Sequence, residues 1–156
     1  MPIEEGKAAP AFTLTDQNGD KVALKDLRGK NVIVYFYPKD DTPGCTKEAC
    51  SFRDLNGEIQ SEGAVILGIS PDGQAAHERF IGKYELPFTL LSDPDKKVMT
   101  RYGAFGEKMM YGKKVMGIIR STVWVGPDGE VVKHWRRVPK AADHPAKVLE
   151  ALRRGA

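Results

Sequence analysis

The stretch from Pro38 to Cys50, Pro-Lys-Asp-Asp-Thr-Pro-Gly-Cys-Thr-Lys-Glu-Ala-Cys, holds both cysteines of the chain. Before it runs Asn31-Val32-Ile33-Val34-Tyr35-Phe36-Tyr37. This β-branched and aromatic run reads as a buried strand. After it, Ala49, Phe52, Leu55 and Ile59 recur at helical spacing among good helix formers. The stretch is therefore a strand-to-helix loop, and Cys45 falls near the first turn of the helix. Unpaired backbone N–H groups and the positive end of the helix dipole favour a thiolate there.

Few folds and few functions accommodate that arrangement in 156 residues. The length suits one domain with a proper core, here taken as residues 1–156. Net charge is +3 with both signs mixed along the chain, which argues against a dedicated nucleic-acid binder. No apolar run approaches the ~18 residues of a membrane helix. The segment Met1 to Lys7 is acidic and lacks an apolar core, so it does not read as a secretory signal. The cytoplasm is the expected compartment. A cysteine pair there suggests redox or catalytic use more than a permanent staple.

Taken in order, residues 1–11 read as an irregular lead-in. Residues 12–24 read as a β-hairpin turning at Asn18-Gly19. The cysteine helix is expected from about Thr46 to Gly63. Residues 64–70 form another near-continuous apolar run, as in a strand covered on both faces. A helix over 74–84, a strand over 87–91 and a helix over 96–102 follow, the last capped by Ser92-Asp93-Pro94-Asp95. Residues 103–117, rich in glycine and lysine, resist assignment, and Lys108, Lys113 and Lys114 read as a solvated loop. A hairpin of strands 121–125 and 130–135 and a helix over 143–153 close the chain. The order predicts an α/β domain with a mixed sheet of thioredoxin-like type, extended by the N-terminal hairpin.

Each candidate residue has a plainer reading. Cys45 could be a buried structural cysteine, but Thr42, Pro43 and Gly44 shape a loop rather than fill a core. Cys50 could be a metal ligand, but zinc wants four ligands, and His77, His134 and His144 are scattered. These histidines read as surface or partly buried groups. A redox pair fits better, with C-x4-C spacing rather than C-x2-C. Arg120 could be an ordinary surface arginine; a functional one would favour the thiolate and orient a polar substrate. Thr42 could be only a turn residue and Pro38 only a strand terminator.

Pro38-x-x-x-Thr42-x-x-Cys45 resembles the active-site motif of peroxiredoxins. The longer run from Phe36 through Glu48 to Cys50, with Gly106-Glu107-Lys108, Tyr111-Gly112-Lys113, Gly117-Ile118 and Arg120-Ser121-Thr122, resembles the subfamily called bacterioferritin comigratory protein or peroxiredoxin Q. The similarity spans nearly the whole chain. It implies a thioredoxin fold with an N-terminal hairpin, and a thiol peroxidase needing no metal or other cofactor. Cys45 would be the peroxidatic cysteine and Cys50 the resolving one. Thr42 and Arg120 would hydrogen-bond peroxide and thiolate, and Pro38 would shield the site from water. Thioredoxin or a similar dithiol protein would be the reductant, and a monomer is expected. The Gly-Gly-Leu-Gly and C-terminal Tyr-Phe segments of over-oxidation-sensitive members are not found.

Two rivals stand beside this reading. A thioredoxin-like disulfide reductase lacks its C-x2-C. A non-enzymatic redox sensor or holdase would use the pair to change shape for a partner. Geometry adds one expectation. Two cysteines five residues apart on one helix have Cα atoms roughly 8.6 Å apart and side chains about 140° apart. A disulfide needs Cα atoms within ~6.8 Å. Bonding the two requires local unwinding of about residues 43–52.

Overall fold

The computed structural model describes residues 3–155; Met1 and Pro2 of the expected lead-in, and Ala156, lie outside the described residues. Seven strands make one mixed sheet: β1 (Thr13–Asp16), β2 (Lys21–Ala23), β3 (Asn31–Phe36), β4 (Ala64–Ser70), β5 (Thr89–Ser92), β8 (Ser121–Val125) and β9 (Val131–Trp135). Their order across the sheet is β2-β1-β5-β4-β3-β8-β9. The centre, β5-β4-β3, is parallel, and both flanks are antiparallel. The N-terminal hairpin pairs through β1 with β5. The expected α/β architecture with its N-terminal extension is what forms.

The continuous apolar runs follow from burial on both faces. Side chains alternate across a strand. Ile33 and Tyr35 of β3, and Tyr37 just after it, face one core with Cys45, Ala49, Phe52 and Ile59 of α1 (Pro43–Ser61), Phe80 of α2 (Gln74–Tyr84) and Val148 of α4 (His144–Arg154). Val32, Val34 and Phe36 face the other, with Val98 and Met99 of α3 (Lys97–Arg101), Tyr102 and Phe12. Asp93 caps α3 through its Oδ2, which accepts from the Met99 N–H at 2.8 Å.

Three expectations are corrected. Helix α1 begins at Pro43, not Thr46. Proline's fixed φ suits the first helical position, where the missing N–H costs nothing. Residues 103–117 are not a solvated loop: β6 (Phe105–Met110) and β7 (Lys113–Ile118) form a separate two-stranded hairpin. Its turn, Tyr111-Gly112, has φ of 52° and 78°, as a two-residue hairpin turn requires. The pattern was illegible because the hairpin buries little, leaving Met109, Met110, Tyr111 and Met116 exposed. Lys108 reaches across it, Nζ donating to the Ile118 carbonyl at 2.7 Å. Lastly, His77 and His144 are buried core residues. Only His134 keeps the expected partial burial.

Candidate active site

Strand β3 ends at Phe36; one further bond runs from Tyr37 N to the Ile69 carbonyl, and Pro38 has no N–H to continue the ladder. The chain turns through Asp41, at φ 57°, and enters α1 at Pro43. The first helical bond runs from Thr46 N to the Thr42 carbonyl at 2.8 Å. The amides of Gly44 and Cys45 therefore have no carbonyl within the helix and contribute to its positive end.

Cys45 is buried, 1% exposed. Arg120, between β7 and β8, reaches it from the other side of the loop: Nη2 donates to Sγ at 3.2 Å. The other terminal nitrogen, Nη1, donates to Glu48 Oε1 at 2.6 Å. One guanidinium thus bridges two residues three apart on α1, which helical geometry puts on one face. The Arg120 backbone is held as well, its carbonyl accepting from Val138 N at 3.0 Å. Gly44 leaves room for this approach: a Cβ there would sit 3.3 Å from Nη2.

Burial dominates the electrostatics. It raises the Glu48 carboxyl to about 7, against the opposing pull of Arg120. Burial also works against the Arg120 charge, but Glu48 and Cys45 together outweigh it and raise its pKa. The site therefore holds a secure cation beside a carboxyl that titrates near neutrality. Tyr35 stays a phenol, its pKa raised well above normal by burial first and then by Glu48 and Cys45. The Tyr35 hydroxyl and Glu48 Oε2 are buried side-chain atoms without a hydrogen-bond partner. His144 Nε2 lies 2.7 Å from the Thr122 hydroxyl. Burial, then Lys147 and Arg120, lower its pKa to about 4.

The structure brings Cys45 and Arg120 into direct contact. Thr42 stands at the N-cap of α1, and its hydroxyl donates to the Lys39 carbonyl at 2.8 Å, not to the helix. Pro38 is half-buried at the start of the loop. Cys50 is a half-exposed thiol on the same unbroken helix as Cys45. Glu48 was missed as a site residue, although its i+3 spacing from Cys45 was a usable signal. Among the described residues, no cluster of three or more His, Cys, Asp or Glu side chains is disposed to hold a metal.

The profile of the AhpC/TSA family matches residues 6–134. This chain belongs to that family. It is 44% identical over 153 residues to peroxiredoxin Bcp of Bacillus subtilis, covering 98% of this chain and 97% of the relative. A bacterioferritin comigratory protein of Xanthomonas campestris, described for its alkyl peroxide reduction activity, superposes with TM-score 0.89 at 39% identity over 97% of this chain and 99% of that one. Peroxiredoxin Q of the same organism superposes with TM-score 0.86 at 42% identity, over 92% and 90% of the two chains. Within the family the chain groups with the Bcp, or Q, peroxiredoxins, and its fold is the thioredoxin-like one they share.

Proposed function

We propose that this thiol peroxidase reduces hydrogen peroxide and organic hydroperoxides through Cys45. The observation that carries the assignment is the Arg120 Nη2–Cys45 Sγ contact at 3.2 Å in the first turn of α1. A cation and unpaired helix amides stabilise the thiolate, which is the nucleophilic form. The sulfur attacks one peroxide oxygen and the O–O bond breaks. The leaving oxygen departs with the bonding pair and takes a proton, giving water or an alcohol. Cys45 is left as a sulfenic acid, oxidised by two electrons. Arg120, beside the sulfur, also stabilises the charge that develops on the departing oxygen. Thr42, at the mouth of the helix, binds the peroxide, and Pro38 shields the loop from water.

Cys50 then attacks the Cys45 sulfur, water leaves, and the Cys45–Cys50 disulfide forms. Both residues lie on one regular helix, so their Cα atoms start roughly 8.6 Å apart and the first turns must unwind. A dithiol protein, thioredoxin in our reading, returns the two electrons by exchange. We take the working unit to be a monomer in the cytoplasm and a single domain. Two cores packed on opposite faces of one sheet support the last point. Among the described residues, no helix is long and apolar enough to cross a membrane.

A peroxidase assay coupled to thioredoxin and its reductase tests the reading. Wild type should turn over continuously. Cys45→Ser should consume no peroxide, and Cys50→Ser should complete one turnover and stop as the sulfenic acid. A Cys45→Ser protein with wild-type turnover would sink the assignment.

A further inference from the structure

We propose that His77 is a positioning residue for the peroxide step: through Asp40 it fixes the Pro38–Thr42 loop and keeps that end of the site closed while α1 opens. The second half of this statement rests on the unwinding proposed above; the first does not.

His77, on α2, is completely buried. Its Nε2 lies 3.0 Å from the Leu91 carbonyl on β5, which can only accept, so Nε2 carries a hydrogen. Its Nδ1 lies 2.7 Å from Asp40 Oδ2, and that bond holds one further hydrogen between ring and carboxyl. The other Asp40 oxygen, Oδ1, accepts from the Tyr37 hydroxyl at 2.6 Å. Asp40 N donates to Asp72 Oδ2 at 2.8 Å, and the same oxygen accepts from the Ser70 hydroxyl at 2.7 Å. Every polar atom of the Asp40 side chain and of the His77 ring is thus engaged. Buried polar groups satisfied this completely select one geometry, because any displacement orphans several of them.

The bonds converge on a few loop residues. Asp40 lies midway between Pro38 and Thr42, and Thr42 donates to the carbonyl of Lys39, its immediate neighbour. A shift of Asp40 therefore moves Lys39 and carries Thr42 with it. Asp41 is tied to the same helix, accepting from Lys83 Nζ at 2.9 Å and the Tyr84 hydroxyl at 2.8 Å, which helps hold its φ of 57°. None of these bonds involves either cysteine. The chemistry at sulfur therefore leaves them intact, and unwinding that begins at Pro43 meets a fixed boundary at Asp41.

Two substitutions separate positioning from structural support. An Asn side chain places its amide nitrogen near the site of Nδ1, and a Gln side chain places it near Nε2. His77→Asn thus keeps the bond to Asp40 and gives up Leu91, while His77→Gln does the reverse. Each loses one bond from the same buried ring. The readout is the second-order rate of Cys45 oxidation by hydrogen peroxide in a single turnover, with the thermal unfolding midpoint measured alongside. His77→Asn should stay within about threefold of wild type, and His77→Gln should slow by about tenfold or more at a similar midpoint. Equal slowing in both, or His77→Asn the slower, overturns the positioning role.

Amide hydrogen exchange on the wild-type protein needs no variant. After peroxide oxidation Thr46–Ser51 should exchange faster, while the Asp40 amide keeps its reduced-state protection. An Asp40 amide that exchanges as fast as Thr46–Ser51 overturns the boundary. Unchanged protection at Thr46–Ser51, with the disulfide confirmed by mass, overturns the unwinding and with it the boundary. The Asn and Gln rates then decide the positioning role by themselves.

Discussion

The two ends of the Pro38–Cys50 stretch are held in different ways. Residues 38–41 are gripped by side chains of α2 and of the loop before it, through His77, Lys83, Tyr84 and Asp72. The first turns of α1, packed into the core through Cys45 and Ala49, take their side-chain hydrogen bonds from Arg120, and one of its two holds there is the Cys45 sulfur itself. The first grip does not depend on redox state. The second is altered in the reaction proposed above: there Cys45 becomes a sulfenic acid and then a disulfide, and of its two partners Arg120 keeps only Glu48 unchanged. A segment secured by its own reactant is suited to local release without global unfolding.

Removing Arg120 should have the largest effect on this contrast. Arg120→Ala takes away the donor at Sγ and the partner of Glu48 together. The single-turnover rate with peroxide should fall by about 10²- to 10³-fold at neutral pH. Thr46–Ser51 should exchange faster already in the reduced protein, while Asp40 and Asp41 stay protected. A rate within a few-fold of wild type, with unchanged exchange, would show that neither the chemistry nor the helix start depends on Arg120.

The pH dependence of stability comes next, since groups at the opening end titrate. Glu48 has a folded value of about 7, above its ordinary 4.5 because of burial. Its contribution is fully present below 4.5 and is lost as pH rises through 7, up to about 3 kcal/mol. His144, whose ring packs edge-on against Phe52 of α1, is lowered from 6.5 to about 4 by burial. It works in the opposite sense: its contribution is present above 6.5 and is lost as pH falls through 4, by a similar amount. The two slopes oppose each other between 4.5 and 6.5 and flatten the wild-type curve. Glu48→Gln removes one of them, so its stability by urea titration should rise with pH across that window. Parallel curves for variant and wild type would show that Glu48 does not titrate in the fold as its burial implies.

The smallest effect is expected from Gly44→Ala. The new Cβ would meet Arg120 Nη2 at 3.3 Å, close enough to displace the guanidinium by a few tenths of an ångström. A rate loss of about two- to fivefold should follow, with stability nearly unchanged because alanine favours the helix. A loss as large as that of Arg120→Ala would mean that the contact tolerates no displacement at all.

Much of this was legible in the residues. The period of the apolar runs announced β3, β4 and α2, since strands covered on both faces and amphipathic helices must display those patterns. Asn18-Gly19 announced the N-terminal hairpin, which forms with Gly19 at φ 85°. The β6–β7 hairpin carried no such pattern, because two strands standing apart from the main sheet bury too little to impose alternation. The histidines misled for the reverse reason. Histidine type does not reveal burial, and only the fold shows that Asp40 and Leu91 flank His77, or that Thr122 and Phe52 flank His144.

Local sequence determined that Cys45 would open a helix after a buried strand, because strand, turn and helix signals are short-range and all lie within residues 31–59. It also determined that Cys50 would share that helix out of bonding reach, since helical rise and rotation depend on spacing alone. Only the tertiary structure decided what surrounds the sulfur. Arg120 lies 75 residues from Cys45 and 72 from Glu48 along the chain, and their meeting depends on β8 pairing with β3. His77 lies 37 residues from Asp40 and meets it because β4 returns the chain beside β3 and α2 then packs back on the sheet against β5. Contacts of that range are set by sheet order and core packing, which no short stretch of sequence encodes by itself.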